Sequence, residues 1–133
     1  ADKVQVPKDL ADVGTFCWHE LMANDYEKSI DFYASLFGWE KSTRMDLEND
    51  CVYQLYKSND RELGGMMNIK AEMGMQPAWA EYVRVDNVAE TQERAVSLGG
   101  QQTFPAMDVP GGGKVAGFLD TNGVNIAVWN TGS

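Results

Sequence analysis

Segments with the hydrophobic pattern of a β-strand alternate along the chain with segments that have the pattern of a helix. Residues 14–23 and 78–86 are rich in aromatic and aliphatic side chains, which is typical of β-strands. Each is followed by a segment with apolar residues at helical spacing, and glycines end both segments. Shorter strand-like runs separated by polar turns complete each half; they are 39–45, 51–57 and 63–70, then 101–107, 114–119 and 125–130.

The starts of the two predicted helices carry the spacing of a capping box. Asn24 precedes Glu27 by three residues, and Asn87 precedes Glu90 in the same way. In such a box the first side chain accepts a hydrogen bond from a backbone N–H of the first helical turn. The sequence therefore predicts helix caps at Asn24 and Asn87. The apolar stripe predicted for the first helix is Ile30, Tyr33, Leu36 and Phe37.

The two halves of the chain are similar to each other. The motif Trp-x-Glu occurs at Trp18 and Glu20 and again at Trp79 and Glu81, so the halves align with an offset of 61 residues. A repeat of this length indicates a duplicated supersecondary unit. The predicted order is βαβββ twice, an α+β arrangement. We expect a single domain, 1–133, with one module at about 12–71 and the other at about 77–130.

Side chains alternate between the two faces of a strand, so every second residue shares a face. The two resulting stripes are Phe16, Trp18, Glu20 and Met22 in the first half and Trp79, Glu81, Val83 and Val85 in the second. Each is apolar apart from one glutamate near a tryptophan. If the helices cover the opposite faces, both stripes line a shared cleft. A carboxylate buried on an apolar face is costly unless it has a partner or a role.

Two interpretations of these glutamates stay open. Each pairs with a Lys or Arg of a neighbouring strand or lies at an open rim, or both belong to a binding floor. Aromatic faces combined with negative charge favour planar or cationic organic ligands. On that interpretation the ligand-binding residues are Trp18, Glu20, Met22, Trp79 and Glu81. Glu20 and Glu81 are also the candidates for a catalytic general base.

The charge composition of the chain limits the classes of molecule that it can bind. The 133 residues include 20 Asp and Glu against 11 Lys and Arg, a net charge of −9. This balance argues against binding to nucleic acid or to anionic membranes, because both need a basic surface. No apolar run approaches the roughly 20 residues of a membrane span, and the first residues show no signal-peptide pattern. We therefore expect a cytoplasmic protein.

The residues that usually bind metals are sparse. Cys17 and Cys51 are the only cysteines and are interpreted as small buried hydrophobic residues. The one histidine, His19, precedes Glu20 directly. Neighbours on a strand point to opposite faces, so these two cannot ligate one ion without a bulge.

Several segments resemble the vicinal oxygen chelate superfamily, which includes glyoxalase I, extradiol dioxygenases, methylmalonyl-CoA epimerase and the bleomycin-resistance proteins. The similar segments are Ile-Asp-Phe-Tyr at 30–33, Leu-Phe-Gly-Trp at 36–39 and the turn Asp-Thr-Asn-Gly at 120–123, together with the helix entries at Asp25 and Asp86. The resemblance covers about residues 12–130. It implies that the two βαβββ modules form a curved eight-stranded cup, the glyoxalase/bleomycin-resistance fold.

Enzymes of that superfamily hold one divalent metal with four side chains on the inner strands. The resemblance places two of these ligands at Trp18 and Trp79, a third at Ala127, and the fourth within 66–70. None of these positions carries a His, Asp or Glu. We therefore expect neither a metal nor another cofactor.

The sequence thus favours a glyoxalase/bleomycin-resistance-like protein that binds a small aromatic or cationic molecule in an apolar cleft without catalysing a reaction. Two alternatives remain. One is a metal-dependent glyoxalase-like lyase, isomerase or dioxygenase, and the other is a metal-free enzyme with a glutamate as general base. Because the superfamily commonly forms dimers and because 39–45 and 101–107 are candidate edge strands, we expect a homodimer.

Overall fold

The computed structural model describes residues 12–110 and 112–132. Residues 1–11, on which the expectation about a signal peptide depends, lie outside this range. The described strands are β1 (Phe16–Ala23), β2 (Glu40–Leu47), β3 (Cys51–Ser58), β4 (Arg61–Asn68), β5 (Ala78–Arg84), β6 (Gln101–Asp108), β7 (Lys114–Leu119) and β8 (Asn125–Asn130). The helices are α1 (Tyr26–Phe37), α2 (Val88–Ser97) and a short 3-10 helix at Ala71–Met73. Within the described residues, no helix is long and apolar enough to cross a membrane.

The chain divides into two compact units. The first unit comprises Trp18–Ala80, and the second comprises residues 12–17 with 81–110 and 112–132. In the first unit the strands follow the order β2-β3-β4-β1, and in the second the order β5-β8-β7-β6. The pairs β1·β4 and β5·β8 are parallel, and the remaining neighbours within each unit are antiparallel. The predicted α+β class and the doubled βαβββ order are confirmed.

Residues 12–17 join the second unit through backbone hydrogen bonds. The N–H of Gly14 donates to the carbonyl of Arg84 at 2.7 Å, and the N–H of Arg84 donates to the carbonyl of Thr15 at 2.9 Å. These bonds explain why the first residues of the described chain group with the second repeat.

Each unit has its own hydrophobic core on the side of its helix. In the first unit the buried residues are Leu21, Ala23, Tyr26, Ile30, Tyr56 and Met66. In the second unit Val88, Ala116 and Val128 are buried, with Val83, Val85 and Phe118 packed against them. Of the stripe predicted for α1, Ile30 is 1% exposed, whereas Leu36 and Phe37 are more than half exposed. Only the first turns of that helix therefore face the core.

An asparagine at the end of a strand anchors the start of each helix. The Oδ1 of Asn68 accepts a hydrogen bond from the Tyr26 N–H at 2.7 Å, and the Oδ1 of Asn130 accepts one from the Val88 N–H at 2.8 Å. Tyr26 and Val88 are the first residues of α1 and α2, and both pairs are 42 residues apart. The two repeats are therefore equivalent at an offset of 62, since 88 − 26 equals 62, and the predicted offset of 61 is wrong.

The difference of one residue between the two offsets reverses the predicted faces of β5. A shift of one position moves every side chain of a strand to the opposite face. Val83 and Val85 pack into the core of the second unit, with Val88 of α2. Trp79 and Glu81 share their side of the strand by alternation. The prediction that the second stripe lies opposite its helix is therefore wrong.

One of the two predicted helix caps is wrong by one residue, and the other is confirmed. Asp25, not Asn24, caps α1, and its Oδ1 accepts hydrogen bonds from the N–H groups of Glu27 and Lys28 at 3.1 and 3.4 Å. Asn87 caps α2 as predicted, and its Oδ1 accepts from the Glu90 N–H at 3.0 Å. The carboxylate of Asp25 also suits the positive end of the helix dipole.

We expect the substitution Asp25→Ala to lower the free energy of unfolding by about 1 kcal/mol, because two N–H groups of the first turn lose their acceptor. Asn24→Ala serves as the matched control and should change stability by less than half as much. Urea unfolding monitored by circular dichroism measures both. Equal losses in the two variants would contradict the assignment of the cap to Asp25.

The two cysteines are free thiols, and neither is fully buried. Desolvation raises the pKa of Cys17 from 9.0 to about 11, and the nearby positive charge of Arg84 offsets part of that increase. Only the thiolate reacts with alkylating reagents. Cys17 is therefore a neutral thiol at neutral pH, but the prediction that both cysteines are buried is wrong, because each is only partly buried.

We predict that Cys17 reacts with iodoacetamide about 100-fold more slowly in the native protein than in concentrated urea at pH 8, because a pKa two units higher leaves that much less thiolate. In the native state the rate should keep rising with pH until about 11. Measurements on Cys51→Ser isolate this thiol, and Cys17→Ser reports the other. A native rate that levels off near pH 9 would be inconsistent with a desolvated thiol.

Candidate functional site

The candidate site lies on the face of the first unit that is turned away from α1. Strand register defines this face, because Leu21 and Met66 are paired and both belong to the core. The residues one position away, Glu20 and Gly65, are paired on the opposite side. The side chains on that side are Trp18, Glu20 and Met22 of β1, Met67 of β4, and Tyr53 and Leu55 of β3.

A chain of two hydrogen bonds links three of these side chains. The Nε1–H of Trp18 donates to the hydroxyl oxygen of Tyr53 at 2.8 Å, and that hydroxyl donates to Oε1 of Glu20 at 2.7 Å. All three residues are half-buried. The Glu20 carboxylate accepts from the phenol, so Tyr53 of the same unit helps to orient it.

A glycine makes this chain of bonds possible. Strand β4 lies between β3 and β1, so Tyr53 has to cross it in order to reach Glu20. Gly65 pairs with Glu20 on one side and with Leu55 on the other. A β-carbon on Gly65 would overlap the ring of Tyr53 and lie 2.6 Å from its hydroxyl oxygen. The phenol ring therefore lies across β4 in the space that a side chain at position 65 would occupy.

The side chains on this face are aromatic and sulfur-containing, and Glu20 is the carboxylate among them. Met22 is 8% exposed. Met45 of β2 pairs with Tyr53 and therefore lies on the same face. Trp18 and Tyr53 contribute flat aromatic surface, and Glu20 contributes the carboxylate. Such a surface attracts a planar ligand through apolar contact and a cation through the carboxylate and the indole.

Sequence reasoning found part of this face. It predicted that Trp18, Glu20 and Met22 share a side of β1, and the structure places them there. Tyr53 and Gly65 were missed. The signal was the glycine pair at 64–65 inside a strand, since a glycine in a strand interior often marks a close approach by another group.

Trp79 lies elsewhere. Its ring is 5.6 Å from that of Tyr33, 6.2 Å from that of Trp39 and 6.3 Å from that of Tyr56, measured between ring centroids. Tyr56 belongs to the core under α1, so Trp79 packs with residues on the helix side of the first unit. The expectation that Trp18 and Trp79 converge on one hollow is therefore wrong. A ligand-binding role for Trp79 stays a prediction.

Glu81 belongs to the second unit. It shares its side of β5 with Val83, which packs against the core, so it is not the structural counterpart of Glu20. At the offset of 62 that counterpart is Tyr82, which pairs with Ala127 as Glu20 pairs with Gly65. A role for Glu81 in binding or catalysis stays a prediction.

The metal that the resemblance implies does not fit the residues present. At the structural offset the expected ligand positions correspond to Trp18 and Ala80 in one pair and to Gly65 and Ala127 in the other, and none of these residues carries a suitable donor. The indole N–H of Trp18 is a donor bonded to Tyr53, and the ring of Tyr53 fills the space beside Gly65. Among the described residues, no three His, Cys, Asp or Glu side chains form a group that could hold an ion.

The substitution Gly65→Ala should lower the free energy of unfolding by about 1–3 kcal/mol, because the added methyl group displaces the ring of Tyr53. In a Tyr53→Ala background the same substitution should cost much less, since no ring lies across β4. Urea unfolding of the two single variants and the double variant gives the coupling. Additive effects would show that the ring does not occupy this position.

The comparisons with known proteins are consistent with this fold. Residues 15–128 match the model of the Glyoxalase/Bleomycin resistance protein/Dioxygenase superfamily. A protein of Mycobacterium bovis named "Putative glyoxylase CFP32" is 30% identical over 118 residues, which are 87% of this chain and 45% of that protein. The anthracycline biosynthesis protein DnrV of Streptomyces peucetius is 27% identical over 132 residues, 90% of this chain and 48% of that protein. The chain spans about half the length of these curated relatives.

Solved structures share the architecture at low sequence identity. Methylmalonyl-CoA epimerase from Mycobacterium tuberculosis superposes with a TM-score of 0.67 at 14% identity, over 93% of this chain and 92% of that one. A hypothetical protein of Bacillus halodurans, BH1468, gives 0.67 at 10% identity, over 92% and 95%. At these identities the likeness establishes the fold alone. The family match over residues 15–128 shows that the chain belongs to the Glyoxalase/Bleomycin resistance protein/Dioxygenase superfamily.

Proposed function

We propose that the protein binds a small planar organic molecule, aromatic and preferably cationic, on the Trp18 face of the first unit, without the metal of the superfamily's enzymes. The observation that carries this proposal is the chain of hydrogen bonds from Trp18 through Tyr53 to Glu20. It holds a carboxylate beside an indole and a phenol on an otherwise apolar face. Binding requires no ion there, since a few placed polar groups in an apolar site suffice.

The energies of the available interactions favour a cationic ligand over a neutral one. A cation over an indole gains about 0.5–2 kcal/mol. A carboxylate about 4 Å from a cation attracts it by about 1 kcal/mol in water and by about 4 kcal/mol near a protein surface. Glu20 is already oriented by Tyr53, so a ligand does not have to order that side chain on binding.

The name of one relative supports an aromatic ligand. DnrV is named as a protein of anthracycline biosynthesis. Anthracyclines are fused-ring aromatic molecules, which a flat aromatic surface can bind through apolar contact. We propose that this chain binds its ligand on such a surface, with Trp18 and Tyr53 as its aromatic residues.

Isothermal titration calorimetry with N-methylquinolinium and with uncharged quinoline tests the proposal. Wild-type protein should bind the cation more tightly. Glu20→Gln removes the negative charge beside the cation, so it should weaken cation binding by about tenfold, equivalent to about 1.4 kcal/mol, and should leave quinoline binding within twofold.

Glu62→Gln is the matched control. Glu62 is also a half-buried glutamate of the first unit that accepts one hydroxyl hydrogen bond, from Ser42 at 2.9 Å. It should leave the binding of both compounds unchanged. The proposal fails if Glu62→Gln weakens cation binding as much as Glu20→Gln does, or if no planar cation binds at millimolar concentration.

A metal-free enzyme with Glu20 as general base is the second candidate. Its support is the fixed orientation of the carboxylate, which accepts from Tyr53 at 2.7 Å. A general base has to be positioned within hydrogen-bonding distance of the proton that it removes. For such an enzyme Glu20→Gln would abolish turnover while a neutral substrate analogue still binds, whereas a binding protein shows no turnover at all.

The oligomeric state and the compartment are further parts of the proposal. We propose a homodimer, supported by the exposure of residues on the outer strands β2 and β6, each of which pairs with one neighbour in its unit. An unpaired strand edge favours association between chains. We keep the cytoplasm as the proposed location on the basis of composition alone.

A further inference from the structure

The first unit has an exposed aromatic surface at the C-terminal end of α1. Phe32, Leu36 and Phe37 are each more than half exposed. Phe32 and Leu36 are about one helical turn apart, so they lie on the same side of the helix. Ring contacts at centroid separations of 5.1–6.2 Å join the aromatic members of the surface, which are Phe32, Tyr33, Phe37, Trp39 and Trp79. Together with Leu36 they form the α1 aromatic surface.

The fold does not require aromatic residues on this part of the helix. At the offset of 62 that relates the two helix starts, Arg94 and Ala95 of α2 occupy the positions of Phe32 and Tyr33. The second unit thus forms the same helix beside a sheet of the same strand order with a charged residue and an alanine there. Packing within one unit therefore does not explain the exposed ring of Phe32.

The ring contacts make the surface suitable for a large partner. The centroid separations are those of aromatic pairs in direct contact, which pack at about 4.5–7 Å. A small molecule therefore finds no space between the two rings of any contacting pair. A partner has to cover the rings from outside, as another folded surface does.

The absence of charge indicates what that partner is. Residues 32–37, Phe-Tyr-Ala-Ser-Leu-Phe, carry no charge, although the chain has a net charge of −9. A basic partner finds no carboxylate within this segment, and the acidic chain repels an anionic membrane. A second copy of the chain brings an identical neutral surface, and two-fold symmetry places the two surfaces face to face.

We infer that two copies of this chain associate through the α1 aromatic surface. The inference rests on the homodimer of the proposed function and names the face that the two copies share. Trp39 directly precedes β2, so the surface continues to one of the outer strands already proposed to favour association. The Trp18 face lies on the other side of the sheet of the first unit, so this contact does not cover it.

The apolar area of the surface matches the need of a dimer of standard size. Buried aromatic residues cover about 150–250 Å² each, so five rings and a leucine at their observed exposures offer on the order of 500 Å². A standard interface takes about 800 Å² from each partner, and about 65% of a homodimer interface is apolar. That apolar share is also about 500 Å². On a monomer, a patch of this size is at the upper end of the usual range and is often functional.

Sedimentation equilibrium of the full chain at micromolar to millimolar concentrations tests the inference. Leu36→Glu should raise the dimer Kd by about 100-fold, because a symmetric interface carries the change twice and each leucine contributes about tenfold. Leu98→Glu is the matched control and should leave the Kd unchanged. Leu98 is 65% exposed, against 58% for Leu36, and it occupies the equivalent position of the second repeat, since 98 − 36 equals 62.

Two further measurements use wild-type protein and do not depend on the folding of any variant. Sodium chloride should strengthen the dimer, since salt screens the repulsion between two chains with a charge of −9 each. Acrylamide should quench the tryptophan emission less as the protein concentration rises, because the dimer covers Trp79. In Leu36→Glu this dependence on protein concentration should be absent wherever sedimentation shows a monomer.

The outcomes separate this inference from the proposed homodimer. A dimer that Leu36→Glu leaves intact, or that both leucine variants weaken alike, overturns the inference and leaves the homodimer standing. A dimer that weakens as salt rises, or that leaves the quenching unchanged, also overturns it. A monomer at every concentration overturns both, whereas ligand binding on the Trp18 face is decided by the calorimetry alone.

Discussion

Two asparagines fix which side chains of each sheet face its helix. The arrangement of the uncovered faces of both units depends on this constraint. Asn68 and Asn130 end the parallel strands β4 and β8 and bind the first N–H groups of α1 and α2. Each therefore ties the register of a sheet to the start of the helix that covers it. A slip by one residue would break this bond and also exchange the buried and exposed faces.

The two repeats share this register, but they carry different side chains on the faces turned away from their helices. The first unit has Trp18, Glu20 and Tyr53 beside a pair of methionines, and the second has Tyr82, Arg84 and Trp129. The cores differ as well, since Tyr26, Tyr56 and Met66 are buried in the first, whereas the buried residues of the second are valines and an alanine. The repeats thus share their strand register and helix starts, while the side chains on both faces of each sheet differ.

The order of strands and helices could be predicted from the sequence because hydrophobic periodicity is local. The face of β1 that carries Glu20 was predicted for the same reason. The face of β5 was not, because the recurring Trp-x-Glu motif suggested an offset one residue too short, and only hydrogen bonds between distant segments reveal the true register. Tyr53 was missed because its role depends on Gly65, a residue of another strand.

The crossing of Tyr53 over Gly65 also limits how a metal centre could arise in this chain. A donor residue introduced at position 65 would meet the phenol ring before it could approach an ion. Exchange of the tyrosine for a smaller residue has to come first, and that step removes the hydroxyl between Trp18 and Glu20. Evolution or design toward a metalloenzyme therefore has to pass through an intermediate that has neither the hydrogen-bonded carboxylate nor the new ligand.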